Sequence, residues 1–333
     1  MKILFSFFTV VVLILLAYAG VNANMHFLFG AVIPYIAVAV FLLGFIYRVL
    51  KWGSSPVPFR IPTTCGQQKS LPWIKQNKIE NPSSTLGVIT RMFLEVFFFR
   101  SLFRNLKTQL YEGPRLAYGE AKWLWLAGLA FHWSFLIIFV RHFRFFMQGV
   151  PSVIKTIEGL DSFLQVGVPL LYMTDVIILG AVTYLFIRRV FIPQVNYISL
   201  AADYFPLFLI FGIAASGVLM RYFFKVHIVG VKELVMGLIT FNPVEMQKMQ
   251  EIGVIFYIHL FLISMLLVYF PFSKLMHMGG VFLSPTRNLA NNNRMVRHIN
   301  PWNYPVKVHT YEEYENEFRD KMKKAGIPVE KES

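Results

Sequence analysis

Cysteine is almost missing from this 333-residue chain, in which Cys65 is the single example. One thiol excludes an internal disulfide framework, and it excludes an iron–sulfur cluster or four-thiolate zinc site ligated by this chain's cysteines. Any metal must therefore be held chiefly by nitrogen or oxygen. Charge is also scarce, at 15% of residues against roughly 25% in a soluble domain. No Gly-rich phosphate loop, nucleophile motif or internal repeat is present. What the chain does have is apolar surface, being 56% hydrophobic and 17% aromatic. The formal charge of +14 does not indicate nucleic acid, because the bases lie between apolar runs rather than on a soluble basic patch.

Six stretches approach the roughly 20 residues needed to cross a hydrocarbon core: 3–21, 28–50, 121–147, 168–190, 200–222 and 252–276. Each is expected to be a helix, since lipid offers no partner to open backbone groups. The predicted fold is therefore an all-α integral membrane bundle of six transmembrane helices. The first stretch is read as a retained span. Its competing reading is a signal peptide, from Lys2, an apolar core and the small-residue stretch AYAGVNA. Alternating the loops puts 25 of the 32 Lys and Arg on one side; Arg141, Arg144, Lys155, Arg221, Lys225, Lys232 and Lys248 make up the other seven. The positive-inside rule then places both termini in the cytoplasm of a cell's inner membrane. The chain divides into two N-terminal spans (1–50), a basic cytoplasmic linker (51–120), a four-helix core (121–280) and a cytoplasmic tail (281–333).

The linker opens with the irregular, Pro-rich SSPVPFRIPTTCGQQ and continues as RMFLEVFFFRSLFRNLKTQ. There Arg91, Glu95, Arg100, Arg104 and Lys107 interrupt dense Phe and Leu, which predicts an amphipathic helix in the headgroup plane or a partner-binding helix. In the tail, YEEYENEFRDKMKK sets Tyr311, Tyr314, Phe318 and Met322 on one helical stripe. Glu315 with Arg319 and Glu317 with Lys321 are spaced as i,i+4 pairs. This helix either docks a cytoplasmic subunit or folds back on its own protein.

Of eight histidines, His26 and His227 fall in external connections and His298 and His309 in the polar tail, where solvated rings need no special account. The other four lie in apolar runs, FHWSFLIIFVRH (His132, His142) and IHLFLISMLLVYFPFSKLMH (His259, His277). Ionisable residues inside a membrane are costly and usually functional. Eighteen residues are five turns, so His259 and His277 are expected on one face about 27 Å apart, while His132 and His142 are separated by about 15 Å. The third and sixth spans run antiparallel. This pairs His132 with His277 toward the cytoplasm and His142 with His259 toward the outside. The mismatch of about 12 Å in rise calls for a kink, which Pro271 supplies by breaking a helical hydrogen bond. Two imidazoles facing each other at each of two depths suit bis-histidine haem b between the third and sixth spans. Zinc normally recruits four ligands, including carboxylates or thiolates, and the spans offer few. A proton relay is the other rival. Arg141, Arg144 and Lys274, at the membrane boundaries, are candidates for pairing with haem propionates, with snorkelling helix-end bases as the alternative.

The histidines ten and eighteen residues apart, with the ending FPFSKLMH, resemble the haem b gamma subunit of respiratory nitrate reductases over residues 120–280. The leading helix, the basic linker with Cys65 and the C-terminal extension are similar to one branch, the DsrM-type membrane cytochrome of the Dsr complex associated with dissimilatory sulfite reduction. The resemblance implies two haem b groups, with all four histidines as iron ligands. It also implies a quinol substrate such as menaquinol oxidised near the outer haem, beside His142, with Lys155 as counterpart of the family's basic quinol-site residue. Electrons would leave toward a cytoplasmic iron–sulfur, heterodisulfide-reductase-like subunit. Further membrane and periplasmic cytochrome subunits would complete a respiratory complex. Quinone reduction by the reverse flow is the alternative direction. The alternative function is a histidine-containing transporter or membrane anchor without a redox role.

Overall fold

The computed structural model describes residues 1–55, 66–111, 115–162, 171–296, 305 and 308–331. Residues 56–65 of the linker's Pro-rich opening, Cys65 among them, and His298 lie outside the described residues. The helices run α1 Lys2–Asn22, α2 Ile33–Gly53 after a π-helical turn at Leu28–Val32, α3 Thr85–Phe98 and α4 Arg100–Phe103. A two-stranded antiparallel hairpin follows, β1 Leu106–Tyr111 with β2 Arg115–Glu120. Then come α5 Lys122–His142, α6 Ser152–Asp161, α7 Met173–Phe191, α8 Pro193–Ile198, α9 Ala201–Tyr222, α10 Ile228–Ile239 and α11 Met246–Gln250. Last are α12 Val254–Tyr269, α13 His277–Leu283, α14 Pro285–Asn288 and α15 Tyr311–Lys324.

Among the described residues five helices are long and apolar enough to cross a membrane: Lys2–Asn22, Leu28–Gly53, Lys122–Phe145, Ala201–Tyr222 and Val254–Phe272. The remaining expected span corresponds to α7, whose 19 residues rise about 28 Å but carry Asp175, Arg188 and Arg189. Its two arginines sit in its last turn, and Asp175 is buried near its start. Burial stripes explain the packing. In α1 the inward residues Val10, Ala17 and Val21 recur at helical spacing and join Phe256, Tyr257, Leu262 and Leu209 in the cores shared with α9 and α12. The helices contact in the order α5 on α7, α7 on α9 and α9 on α12, with α1 and α2 also against α12. Among the described residues α5 and α12 are thus joined through α7 and α9 and are not close neighbours of each other.

The expected single helix over 252–276 is instead broken. α12 ends at Tyr269, Phe270–Phe272 is a 3-10 turn, Ser273 is extended (φ −117°, ψ 177°), and His277 begins a new helix. His259 and His277 therefore do not share one helix face. Proline cannot donate to the preceding turn and clashes with it, so Pro271 converts the expected kink into a break. α2 receives this break at Gly44, where a β-carbon would lie 2.7 Å from Pro271 Cβ and 2.9 Å from its Cγ. A rigid ring and a helix backbone cannot yield. Gly44→Leu should cost about 1–3 kcal/mol through overpacking and lower the unfolding midpoint in detergent. Gly180→Leu, whose β-carbon meets nothing within 4 Å, should leave it unchanged.

The linker helix is also oriented differently from expectation. Arg91 and Glu95 are buried while Leu86, Ile89 and Phe93 are exposed, so the charged stripe faces protein rather than headgroups. Arg91 donates to Thr286 O (3.3 Å), and Glu95 accepts from Ser101 N–H (3.3 Å) across the left-handed turn at Phe99. Glu80 ion-pairs with Arg100 and Arg104; burial alone would raise its pKa, but the two guanidinium groups hold it below the usual carboxylate range. A buried amide cluster ties the linker to the stretch after α14. Gln68 Nε2 donates to Asn291 Oδ1 (2.8 Å), Asn291 Nδ2 to Asn81 Oδ1 (2.7 Å) and Asn291 N–H to Pro82 O (2.7 Å).

α15 starts with a capping box, Glu313 N–H to Thr310 Oγ1 and Thr310 N–H to Glu313 Oε2. Met322 is buried, whereas Tyr311 and Tyr314 are exposed. Glu315 pairs with Arg319 at 3.3 Å as its spacing predicts, but Glu317 lies 3.8 Å from His309. The Glu315 carboxylate also anchors the end of the chain, accepting from Glu330 N–H (2.7 Å) and Lys331 N–H (3.0 Å). These amides, Glu330 first, together with Arg319, hold its pKa below the usual range against the opposing effect of burial. A depressed carboxylate contributes stability above its unfolded pKa and loses it as pH falls through the folded value. The protection factors for hydrogen exchange at Glu330 and Lys331, relative to the intrinsic rate at each pH, should therefore hold at neutral pH and fall only below the ordinary carboxylate range.

Candidate functional site

The two histidine-bearing segments face each other at two depths. The ring centroids of His132 and His277 lie 6.0 Å apart with planes at 84°, and those of His142 and His259 lie 6.4 Å apart at 18°. Local structure sets each ring. His132 and His142 are ten residues apart on α5, about 15 Å along its axis. His259 is on the inward face of α12. The broken end of α12 brings His277 opposite His132, removing the mismatch in rise. Between the two levels lies an apolar layer of Ile178, Val182 and Ile210 with Phe131, Ile138 and Leu266 packed on it.

In every one of these rings Nδ1 is already engaged. His132 donates to Gly128 O and His142 to Ile138 O, both at 2.7 Å, and His277 donates to Lys274 O at 2.9 Å. A carbonyl only accepts, so neutral imidazole must carry its proton on Nδ1, and Nε2 is left as the Lewis-basic nitrogen. His259 Nδ1 meets Ser216 Oγ at 2.9 Å, and that hydroxyl donates its own proton to Ile213 O at 2.9 Å. This is the arrangement of metal-binding histidines, whose second nitrogen is fixed by an outer hydrogen bond.

The spacing supports the same chemistry. A metal bonded in line to two imidazole nitrogens, each at about 2 Å with ring centres about 1 Å behind, places the centroids roughly 6 Å apart. Among the described residues no three His, Cys, Asp or Glu side chains converge to hold a metal ion. Each level thus offers two donors rather than the four a tetrahedral ion recruits. A macrocycle that brings its own four equatorial nitrogens needs two axial ligands from the protein, and haem iron accepts axial histidine. The residues present fit that group.

Beside His142 is a polar cluster that the sequence reading missed. Arg141, buried at the end of α5, ion-pairs with Asp161 of α6 and, at 3.0 Å, with Asp175 of α7. Thr174 donates its N–H (2.9 Å) and O–H (2.7 Å) to Asp161, and Tyr222 O–H donates to Asp175 at 3.1 Å. The Tyr172 ring centroid is 3.6 Å from the Arg141 guanidinium carbon and 3.9 Å from that of Arg221. The signal available in sequence was Asp175 itself, an acid within an apolar run. The bases expected to meet propionates are all paired within the chain: Arg141 as described, Arg144 with Glu158 (2.9 Å) and Lys274 with Asp203 (2.6 Å).

A cavity of about 390 Å³ opens at the same end, lined by Arg144, Phe145, Gln148, Lys232, Glu233 and apolar neighbours. Its Phe145 ring is 6.0 Å from that of His142. Lys155 lies on α6, exposed and outside the cavity lining. Lys232, on the cavity wall, donates to Gln148 O at 3.2 Å.

Comparison with known proteins agrees with the geometry. A model of the nitrate reductase gamma subunit family matches residues 92–298, the region that contains all four paired histidines. The chain is 47% identical over 281 residues, 83% of each sequence, to a protein of Archaeoglobus fulgidus named Hdr-like menaquinol oxidoreductase cytochrome b-like subunit. It is 42% identical over 274 residues, 81% of each, to the protein of the same name from Archaeoglobus profundus.

Proposed function

The chain belongs to the nitrate reductase gamma subunit family, and from that premise we propose that it is a dihaem b membrane subunit. In this reading it oxidises menaquinol near the outer face and delivers electrons to a cytoplasmic iron–sulfur subunit of heterodisulfide-reductase type. The observation that carries it is the pair of imidazole clamps, with centroids at 6.0 and 6.4 Å. His132 with His277 would hold the inner haem and His142 with His259 the outer one. Bound there, haem supplies one-electron transfer at each of two depths.

The remaining work falls to the chain's own side chains. Hydrogen bonds at Nδ1 hold the four rings and keep Nε2 basic. The Arg141–Asp161–Asp175 cluster fixes the end of α5 on which His142 stands. The cavity beside Phe145 is within the size range of small-molecule sites. Arg144, Gln148 and Lys232 there would hydrogen-bond the polar head of a quinol, and Glu233 is the carboxylate at its edge. The imbalance of 25 against seven basic residues supports a placement in the cytoplasmic membrane with both termini inside. α15 then lies on the side of the iron–sulfur partner. The similarity to Archaeoglobus proteins named as cytochrome b-like subunits of an Hdr-like menaquinol oxidoreductase supports a place in a multi-subunit complex; that the complex serves sulfur metabolism, with further membrane and periplasmic cytochrome subunits, is part of the proposal. The test is direct reduction of the purified protein by a soluble menaquinol analogue. Haem b absorption should develop as the quinol is consumed. A haem-bearing protein that dithionite reduces and the quinol does not would remove quinol oxidation from the reading.

A further inference from the structure

Of the four paired histidines, His132, His142 and His277 give their Nδ1 protons to main-chain carbonyls close by in sequence. His259 differs: its Nδ1 partner is a side chain on another helix, Ser216 Oγ of α9, at 2.9 Å. Ser216 Oγ donates to Ile213 O and so turns a lone pair to the imidazole, which also lies near the Ile213 carbonyl. Both residues are buried, His259 at 8% and Ser216 at 6% exposure, so no solvent competes for the bond. The next residue, Gly217, lies against the same ring, a β-carbon there falling at contact distance, 3.4 Å from His259 Cε1. Ser216 and Gly217 together form a seat for this one imidazole.

We propose that Ser216 is a positioning residue that sets the orientation and donor strength of His259, and through it the midpoint potential of the outer haem. This rests on the dihaem reading above. An acceptor at Nδ1 raises the basicity of Nε2, and a more electron-rich axial ligand favours the ferric over the ferrous ion. The electron gained or lost resides on the iron. The Ser216 proton stays on its hydroxyl, bonded to Ile213 O, throughout. Unlike a main-chain carbonyl, this acceptor can be deleted without disturbing the ligand's own helix.

The experiment is potentiometric titration, with electron paramagnetic resonance, of the full-length protein as wild type, Ser216→Ala and Ser216→Thr. The outer haem is identified as the component that disappears in His142→Ala. In Ser216→Ala the outer potential should rise and its resonance should move, while the inner haem keeps both. Ser216→Thr, which retains the acceptor, should restore the wild-type values. An outer potential and resonance unchanged in a Ser216→Ala protein that still carries two haems would overturn the assignment. Should Ser216→Ala shed the outer haem, Ser216→Cys, a weaker acceptor, is titrated instead, and an unshifted outer potential there overturns it equally. Failure of the dihaem reading itself would be seen beforehand, as a wild-type protein without two haems.

Discussion

Replacing His132 or His277 with alanine is expected to halve the haem b content, and the remaining haem should be the same one in both variants. Replacing His142 or His259 should also leave one haem, the other one. The reason is geometric. In the proposed reading each haem would be held by one imidazole from α5 and one from the segment that follows or forms α12, the pairs standing 6.0 and 6.4 Å apart between centroids. The combinations carry the strongest contrast. His132→Ala with His277→Ala removes two ligands of one haem and should look like either single change. His132→Ala with His259→Ala takes one ligand from each level and should leave none. Optical spectra of the reduced proteins, scaled to polypeptide, read this directly. A cross-level double variant that keeps one haem would show that the pairs are wrongly matched.

The second large effect concerns stability. Arg141 is 8% exposed and serves two carboxylates, Asp161 on α6 and Asp175 on α7. Arg141→Met would leave both acids buried without their cation. Breaking a buried pair by deleting one partner costs about 3–5 kcal/mol, since the remaining charge keeps its desolvation penalty. Thr174 and Tyr222 would still donate to these acids, which limits the loss but does not replace a charge. Chemical unfolding in detergent should show the deficit, and the outer haem should be lost before the inner one because His142 adjoins Arg141. Arg141→Lys should recover only part, as an ammonium lacks the planar fork that reaches two carboxylates. Wild-type unfolding in Arg141→Met would show that the network is not holding this end of α5.

The spans were legible because lipid imposes a length and a composition that few other contexts do. Lys2–Asn22 and Ala201–Tyr222 begin and end within one residue of the expected 3–21 and 200–222. The four histidines were conspicuous for the same reason, being titratable groups in runs that otherwise exclude them. What was not legible depended on distant partners. Pro271 announces a kink, but its becoming a full break depends on Gly44 of α2, more than two hundred residues earlier. Arg91 and Glu95 looked like headgroup-facing charges until Thr286 and Ser101 supplied partners. Ser216 gave no sign of its place beside His259, as a lone hydroxyl in a membrane helix commonly bonds only to its own backbone. Which basic residue borders the cavity near His142 was not legible either, because Lys232 reaches it from the short helix α10.

The central claim is that two imidazole pairs at two depths each bind a haem b. Haem content per polypeptide of the purified full-length protein, followed by potentiometric titration, tests it most directly. Two haems b per chain are expected, titrating as two one-electron components. A chain isolated without haem b absorption, or one saturating at a single haem with all four histidines intact, would contradict it.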